Sequence, residues 1–378
     1  MTPSPKPRLL ILSFSTLVAD ARLLRQIQAL REGYEVTTCG YGPAPFDDIE
    51  HIEVPEGIPP MTAKLQAVCM RTKLFRAMYW LMPQARAARR ALRGRTFDAI
   101  LANDLDTAGL ALSLENGAKV HLDLHEYWLG LHDNVPAWVR LRVPYYSWQL
   151  RHWATKMRSV TTINEPLAQR YRNEFGLECG IVTNAGGYQD LTPTPVTSPI
   201  RLVHSGAARP NRELERMMHA VAAADIDVTL DLYLIGEGTA YYESLLQLAT
   251  ELGDRVRILP PVSHDELVPT LNQYDVGLPF LPPTTSNIEM TLPNKFFDYV
   301  QARLAILTGP TPPMVEILDQ YGLGVVSSDF ETASLTATMN ALTRVEIERW
   351  KNHANEAARP LSGEVQNETW VRAIREIA

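Results

Sequence analysis

The chain has 378 residues, of which 46% are apolar, 21% charged and 8% aromatic, and its formal net charge is −7. That length suits two domains, and no apolar run reaches the ~18 residues needed to span a bilayer. Cys39, Cys69 and Cys179 show no CxxC spacing, which argues against a disulfide framework or a zinc cluster and fits a reducing compartment.

Lys6 and Arg8 precede LLILSFSTLVADA, which has the outline of a secretory signal with an A-x-A-like end at Ala19-Asp20-Ala21. Its strongly apolar part, 9–12, is short and is broken by Ser13, Ser15 and Thr16. The following DARLLRQIQALREGYEV continues as a helix and a strand, so the stretch reads as the first strand of a cytoplasmic α/β domain. RLLILSF (8–14) is followed by a helix over 20–32 and then YEVTTC (34–39). FDAILA (97–102), KVHLDL (119–124), SVTTIN (159–164) and GIVTNA (180–185) read as further buried strands. Short apolar runs separated by helices predict a parallel sheet covered on both faces.

The texture then changes. GGYQDLTPTPVTSP (186–199) has neither helical nor strand periodicity and reads as a linker. A second series follows: IRLVHSG (200–206), a helix over 211–224, TLDLYLIG (229–236), a helix over 241–252, VRILP (256–260), DVGLPF (275–280), LAILTG (304–309) and GVVSS (324–328). The expected organisation is an α/β chain with an N-terminal Rossmann-like domain (1–188), a linker (189–199), a second Rossmann-like domain (200–360) and a C-terminal helix (361–378) returning to the first domain. Two such domains are expected to face each other across a cleft, with ligands at the C-terminal ends of the strands.

One of those loops leads into TLPNKFFDYVQARLAIL (291–307). Pro293 suits a helix start, which puts Lys295 in the first turn, where the helix dipole disfavours a cation. The placement becomes sensible if a phosphate sits at that N-terminus. Asp298 is three residues on, on the same face, where its carboxylate can accept from two neighbouring hydroxyls such as those of a ribose. A plain Lys295–Asp298 surface pair is the competing reading. LVHSGAARPNRELERMM (202–218) repeats the pattern: Ser205, Gly206, Ala207 and Ala208 allow close backbone approach. Arg212 at the expected helix start, with Arg209 near it, suits a phosphate. Pairing of either arginine with Glu213 or Glu215 is the alternative.

In order and spacing, these segments resemble the retaining GT-B enzymes of glycosyltransferase family 4. PNKFFDYVQARLAILTG resembles that family's P-x-K-x-x-E-[YF] segment, which implies Lys295 on the donor diphosphate and Asp298 on the ribose. HSGAARPNRELE resembles its G-R-x-x-x-x-K-G loop, with Arg212 at the lysine position. LIGEG (234–238) and RVRILPPVSHDEL (255–267) are similar to segments whose backbone meets the base, here Gly236 and Val262. LDLHEYW resembles a D-x-H-E segment whose histidine contacts the donor sugar, here His125.

The resemblance implies a transferase moving a sugar from a nucleotide-sugar, UDP- or GDP-linked, to an acceptor hydroxyl with retention and without a metal. It implies His125, Arg212 and Lys295 in catalysis. Ser205, Gly206, Arg209, Gly236, Val262, Asn287, Asn294 and Asp298 are then expected on the donor. Ser15, Asp104, Glu126 and Glu289 are expected around the acceptor and sugar.

The chain departs from the family pattern in several places. Met290 stands where the family has a glutamate, with Glu289 adjacent; Asp298 replaces a glutamate; Ala207 replaces the arginine of G-R; and Arg303 replaces a small residue. Met290 keeps open a catalytically idle GT-B protein that binds a nucleotide or a partner enzyme; a sugar-nucleotide epimerase on the same fold is a further alternative. The D-x-D of NDLD (103–106) is read as helix capping by Asp104 and Asp106, not as a metal site.

From Gly57 to Phe97 there are nine Lys or Arg and no acid, and from Trp138 to Arg158 five more and no acid. Aromatics among these cations suit an anionic lipid surface. The expectation is a glycan or lipid-linked acceptor in cell-envelope synthesis and a peripheral position on the inner membrane face through 61–95 and 138–158. Solvated cations over an apolar core face are the competing reading. Nucleic acid fits poorly with the acidic total.

Overall fold

The computed structural model describes residues 5–115 and 119–378. The chain divides into two compact units. One contains the described residues up to Thr183 together with 285–287 and 367–378; the other contains 184–284 and 288–366.

The first unit is built on a seven-stranded parallel sheet. Its strands are β1 (Arg8–Thr16), β2 (Glu35–Tyr41), β3 (Glu50–Glu53), β4 (Ala99–Asn103), β5 (Val120–Leu124), β6 (Ser159–Thr162) and β7 (Cys179–Ile181), in the order β3-β2-β1-β4-β5-β6-β7. Leu9 to Leu12 are fully buried because helices cover both faces of a parallel sheet. The helix Ala21–Leu30 buries Leu23, Ile27 and Leu30, and the Asp20 carboxylate caps it by accepting from the Arg22 and Leu23 amides. The expected C-terminal helix is in fact a turn, Gly363–Gln366, and a separate helix, Glu368–Arg375. The latter buries Trp370 and Ile374 in this unit.

The cationic stretch 64–95 folds as three helices, Pro60–Arg71, Phe75–Trp80 and Pro83–Ala91; most of 138–158 lies in Pro136–His152. Their aromatics interlock. The ring centroids of Tyr79 and Trp153 are 4.6 Å apart and those of Phe75 and Tyr145 5.7 Å. Most of the aromatic surface anticipated for a lipid face is therefore core packing.

The second unit repeats the plan with six parallel strands: β8 (Ile200–Ala207), β9 (Val228–Ile235), β10 (Val256–Leu259), β11 (Val276–Gly277), β12 (Ala305–Thr308) and β13 (Gly324–Val326), ordered β10-β9-β8-β11-β12-β13. In both units the strand order reverses beside the first strand, between β1 and β4 and between β8 and β11, where doubly wound folds bind ligands. The helix expected over 211–224 begins only at Glu215. Pro210–Arg212 form a 3₁₀ turn and Glu213 takes a left-handed φ of 47°, so Arg212 precedes the helix instead of starting it.

Candidate functional site

At the C-terminal ends of β8 and β9, Ser205, Gly206, Tyr233 and Ile235 line a pocket of about 270 Å³. Pro261 and Val262 after β10, and Asn294, Lys295 and Asp298 of the helix Asn294–Gln301, complete its wall. Pro293 is the N-cap of that helix, which leaves the Asn294 and Lys295 amides in the first turn.

Lys295 is folded over Gly206. A Cβ on Gly206 would lie 2.8 Å from Lys295 Nζ, and Gly206 has φ +144°, so both space and backbone call for glycine here. Lys295 Nζ lies 3.0 Å from His204 Nε2, and His204 Nδ1 donates to the Leu278 carbonyl at 2.7 Å. Burial, then the nearby Arg212 guanidinium, bring the Lys295 ammonium down to about 7, with Asp298 opposing. Burial, with Lys295 next, holds His204 well below its usual range, so it is a neutral acceptor. The Ser205 amide donates to the Tyr299 hydroxyl at 3.1 Å, and the Tyr299 ring occupies the space left by Gly277. Two close cations and a first-turn helix amide make a pocket suited to an anion.

A second polar cluster lies at the C-terminal ends of β4 and β5 in the first unit. Buried Asp123 accepts from Arg22 Nε at 2.9 Å and Nη2 at 2.8 Å, from Gln26 at 2.7 Å and from Thr161 at 2.7 Å. His125 sits between carboxylates, with Nε2 3.1 Å from Asp123 and Nδ1 3.4 Å from Asp104. Burial lowers its pKa, but the two carboxylates prevail and raise it. Asp104 is strained, with φ 62° and ψ 163°, a region that residues other than glycine rarely occupy. Its carboxylate accepts from the His125 amide at 3.1 Å and the Trp128 indole at 3.3 Å. Burial, then repulsion from Asp104, push Asp106 up to about 8, so its carboxyl is largely protonated at neutral pH. Among the described residues no group of three His, Cys, Asp or Glu side chains is arranged to hold a metal ion.

Ser205, Gly206, Val262, Asn294, Lys295 and Asp298 thus share one pocket. Arg212 lies close enough to act on Lys295 electrostatically, Gly236 stands beside Ala208, and Arg209 is exposed. Asn287 is not in that wall. It belongs to the first unit, where its Oδ1 accepts from the Tyr127 amide at 2.7 Å and its Nδ2 donates to Glu126. Ser15 donates to Asp20 at 2.9 Å, and Glu289 is exposed.

His204 and Tyr299, which hold Lys295 and the Ser205 backbone, do not stand out in the sequence. A histidine inside the apolar run LVHSG was the signal available for the first. Arg22, which flanks the buried face formed by Leu23, Ile27 and Leu30, carries no comparable local signal.

No protein-family model matches the chain, and no curated protein matches it in sequence. Solved structures do match over nearly the whole chain. Sucrose-phosphate synthase from Thermosynechococcus elongatus is 14% identical with a TM-score of 0.70, covering 98% of this chain and 99% of that one. Anabaena HepE in complex with UDP-glucose is 15% identical with a TM-score of 0.70, at 98% and 99% coverage. WaaG, a glycosyltransferase involved in lipopolysaccharide biosynthesis, is 10% identical with a TM-score of 0.66, at 97% and 99% coverage. At such identities the likeness is one of fold: two Rossmann-like domains, as in these GT-B glycosyltransferases.

Proposed function

We propose that this chain is a retaining glycosyltransferase of family 4 type that takes its sugar from a nucleotide donor. The observation that carries the reading is the Lys295 ammonium packed against Gly206, in one pocket with Ser205, Asn294 and Asp298. Lys295 and Arg212 bear on the diphosphate and stabilise the charge it gains as the sugar–phosphate bond breaks, so that no cation is required. Asp298 accepts from the ribose hydroxyls, and backbone around Val262 meets the base. HepE is seen with UDP-glucose in the same fold, which favours a UDP-linked donor.

Retention without a carboxylate nucleophile needs the leaving phosphate to take the proton of the acceptor hydroxyl. His125 reaches a sugar in this reading by its ring edge or carbonyl, because both ring nitrogens face carboxylates. The acceptor is read as a glycan or lipid-linked glycan of the cell envelope. In support, Met61, Leu65 and Val68 lie on one face of Pro60–Arg71 and are 70%, 50% and 53% exposed, with Lys64 and Arg71 on the same helix. An apolar stripe with flanking cations suits an anionic membrane surface. No helix among the described residues is long and apolar enough to cross a membrane.

The test is turnover. Purified protein with UDP-glucose and a panel of lipid-linked and free glycan acceptors should yield an α-linked product and UDP, lost in Lys295→Met. Donor consumption without any acceptor, giving an epimerised sugar-nucleotide, would point to the epimerase reading instead.

A further inference from the structure

The first unit has a concavity of about 640 Å³ that the proposed reaction does not use. Arg86, Arg89, Arg90, Arg93 and Arg95 line it, over an apolar floor that includes Trp80 and Leu92. It lies at the opposite end of the sheet from Asp104 and His125, since 92–95 lead into the start of β4 and Ser113 and Leu114 end the helix that returns from it.

Most of this charge is uncompensated. Arg95 pairs with Glu50 at 2.8 Å, and Arg89 stacks over the Trp80 ring at 4.6 Å. Arg86, Arg90 and Arg93 are exposed and have no ion pair among the described residues. Arg86 and Arg90 are four apart on Pro83–Ala91, a spacing at which like charges repel. The helix dipole favours Arg89 and Arg90 in the last turn but not Arg86 near the start. Guanidinium groups gathered in a concavity match the oxygens of a phosphate, each able to give two N–H donors.

We propose that this arginine cavity is a phosphate-binding site, separate from the Lys295 pocket, that takes a mono- or diphosphate group. It does not depend on the glycosyltransferase reading. The phosphate can belong to a soluble metabolite or to a lipid headgroup, and two arms distinguish these sources.

The first arm titrates pyrophosphate into wild type, the triple variant Arg86→Gln/Arg90→Gln/Arg93→Gln, and Lys295→Met. Wild type should show binding that survives in Lys295→Met and weakens at least about 10-fold in the triple variant. The three side chains are exposed and unpaired, so the triple variant should melt at the wild-type temperature, which separates lost binding from lost fold. The second arm sediments the proteins with phosphatidylglycerol or phosphatidylcholine vesicles. Sedimentation with phosphatidylglycerol only, abolished by the triple substitution and by millimolar pyrophosphate, assigns the site to a lipid phosphate. Pyrophosphate binding with vesicle sedimentation unaltered by the substitution assigns it to a soluble one. A triple variant that titrates like wild type, or no pyrophosphate binding outside the Lys295 pocket, overturns the proposal.

Discussion

Lys295 Nζ lies 3.0 Å from His204 Nε2, while the imidazole gives its Nδ1 proton to the carbonyl of Leu278. The lysine is thus held by a neutral acceptor, with Arg212 close by and its pKa down to about 7. An arriving diphosphate supplies the missing negative charge and raises that pKa. Nucleotide binding should therefore take up a proton above about pH 7, and affinity should fall as pH rises from about 7 to about 9. Calorimetry in two buffers of different ionisation enthalpy measures the uptake; affinity flat across that range, with no uptake, contradicts the arrangement.

The same lysine weighs on the fold. Its pKa falls from 10.5 to about 7 on folding, so the unfolded chain holds the proton more tightly across that window. The penalty is full below about pH 7 and fades as pH rises towards the unfolded value. Lys295→Met should melt at the wild-type temperature or above it at neutral pH, while nucleotide affinity drops about 10- to 100-fold, the scale of a lost charge-assisted hydrogen bond. A variant that melts lower and binds equally well would make Lys295 a structural residue.

Gly206→Ala tests the close approach. The new Cβ would lie 2.8 Å from Lys295 Nζ at a φ of +144°. The flexible lysine tip moves away from His204, and the backbone strain costs about 1–3 kcal/mol. Nucleotide affinity should fall about 10-fold with the fold retained. Unchanged affinity would mean that the lysine position is immaterial.

In the first unit, Arg22 is the counter-charge to fully buried Asp123. Removing one partner of such a pair costs about 3–5 kcal/mol, so Arg22→Met should lose that much at neutral pH. Although burial pushes the Asp123 pKa up, Arg22 and then His125 hold it well below the usual range. Its contribution is present above the unfolded value and lost as pH falls through the folded one. Without Arg22 the carboxyl protonates at higher pH, so the deficit should shrink on acidification from about pH 7 to about pH 5. Urea unfolding at both values decides it; an equal deficit at both would place the loss in packing.

The sequence was most legible where one local signal sufficed. LLIL in β1 and VHLDL in β5 are apolar enough to be buried strands in any α/β arrangement, and Pro293 marked its helix to within a residue. β3 leaves little trace in the sequence, because EHIE holds a single apolar residue and lies at the sheet edge, where neither face is fully buried. The helix after HSGAARPNRE begins four residues later than its pattern suggests, because Glu213 adopts a left-handed conformation that no local pattern announces. The break between Gln366 and Glu368 likewise has no proline to mark it. That Lys295 and Asp298 lie together near a helix start is legible from Pro293 and their three-residue spacing. The pairing of Arg22 is not, since its partner lies 101 residues further on.

Calorimetric titration of UDP, GDP and ADP into wild type and Asp298→Ala asks directly whether this pocket holds a nucleotide. One nucleotide, UDP on the present reading, should bind wild type clearly better than the other two and lose about 5- to 30-fold in the variant, as expected when one or two hydrogen bonds to a carboxylate are removed. Absence of binding by all three, or binding that Asp298→Ala leaves unchanged, would contradict the assignment of this pocket to a nucleotide donor.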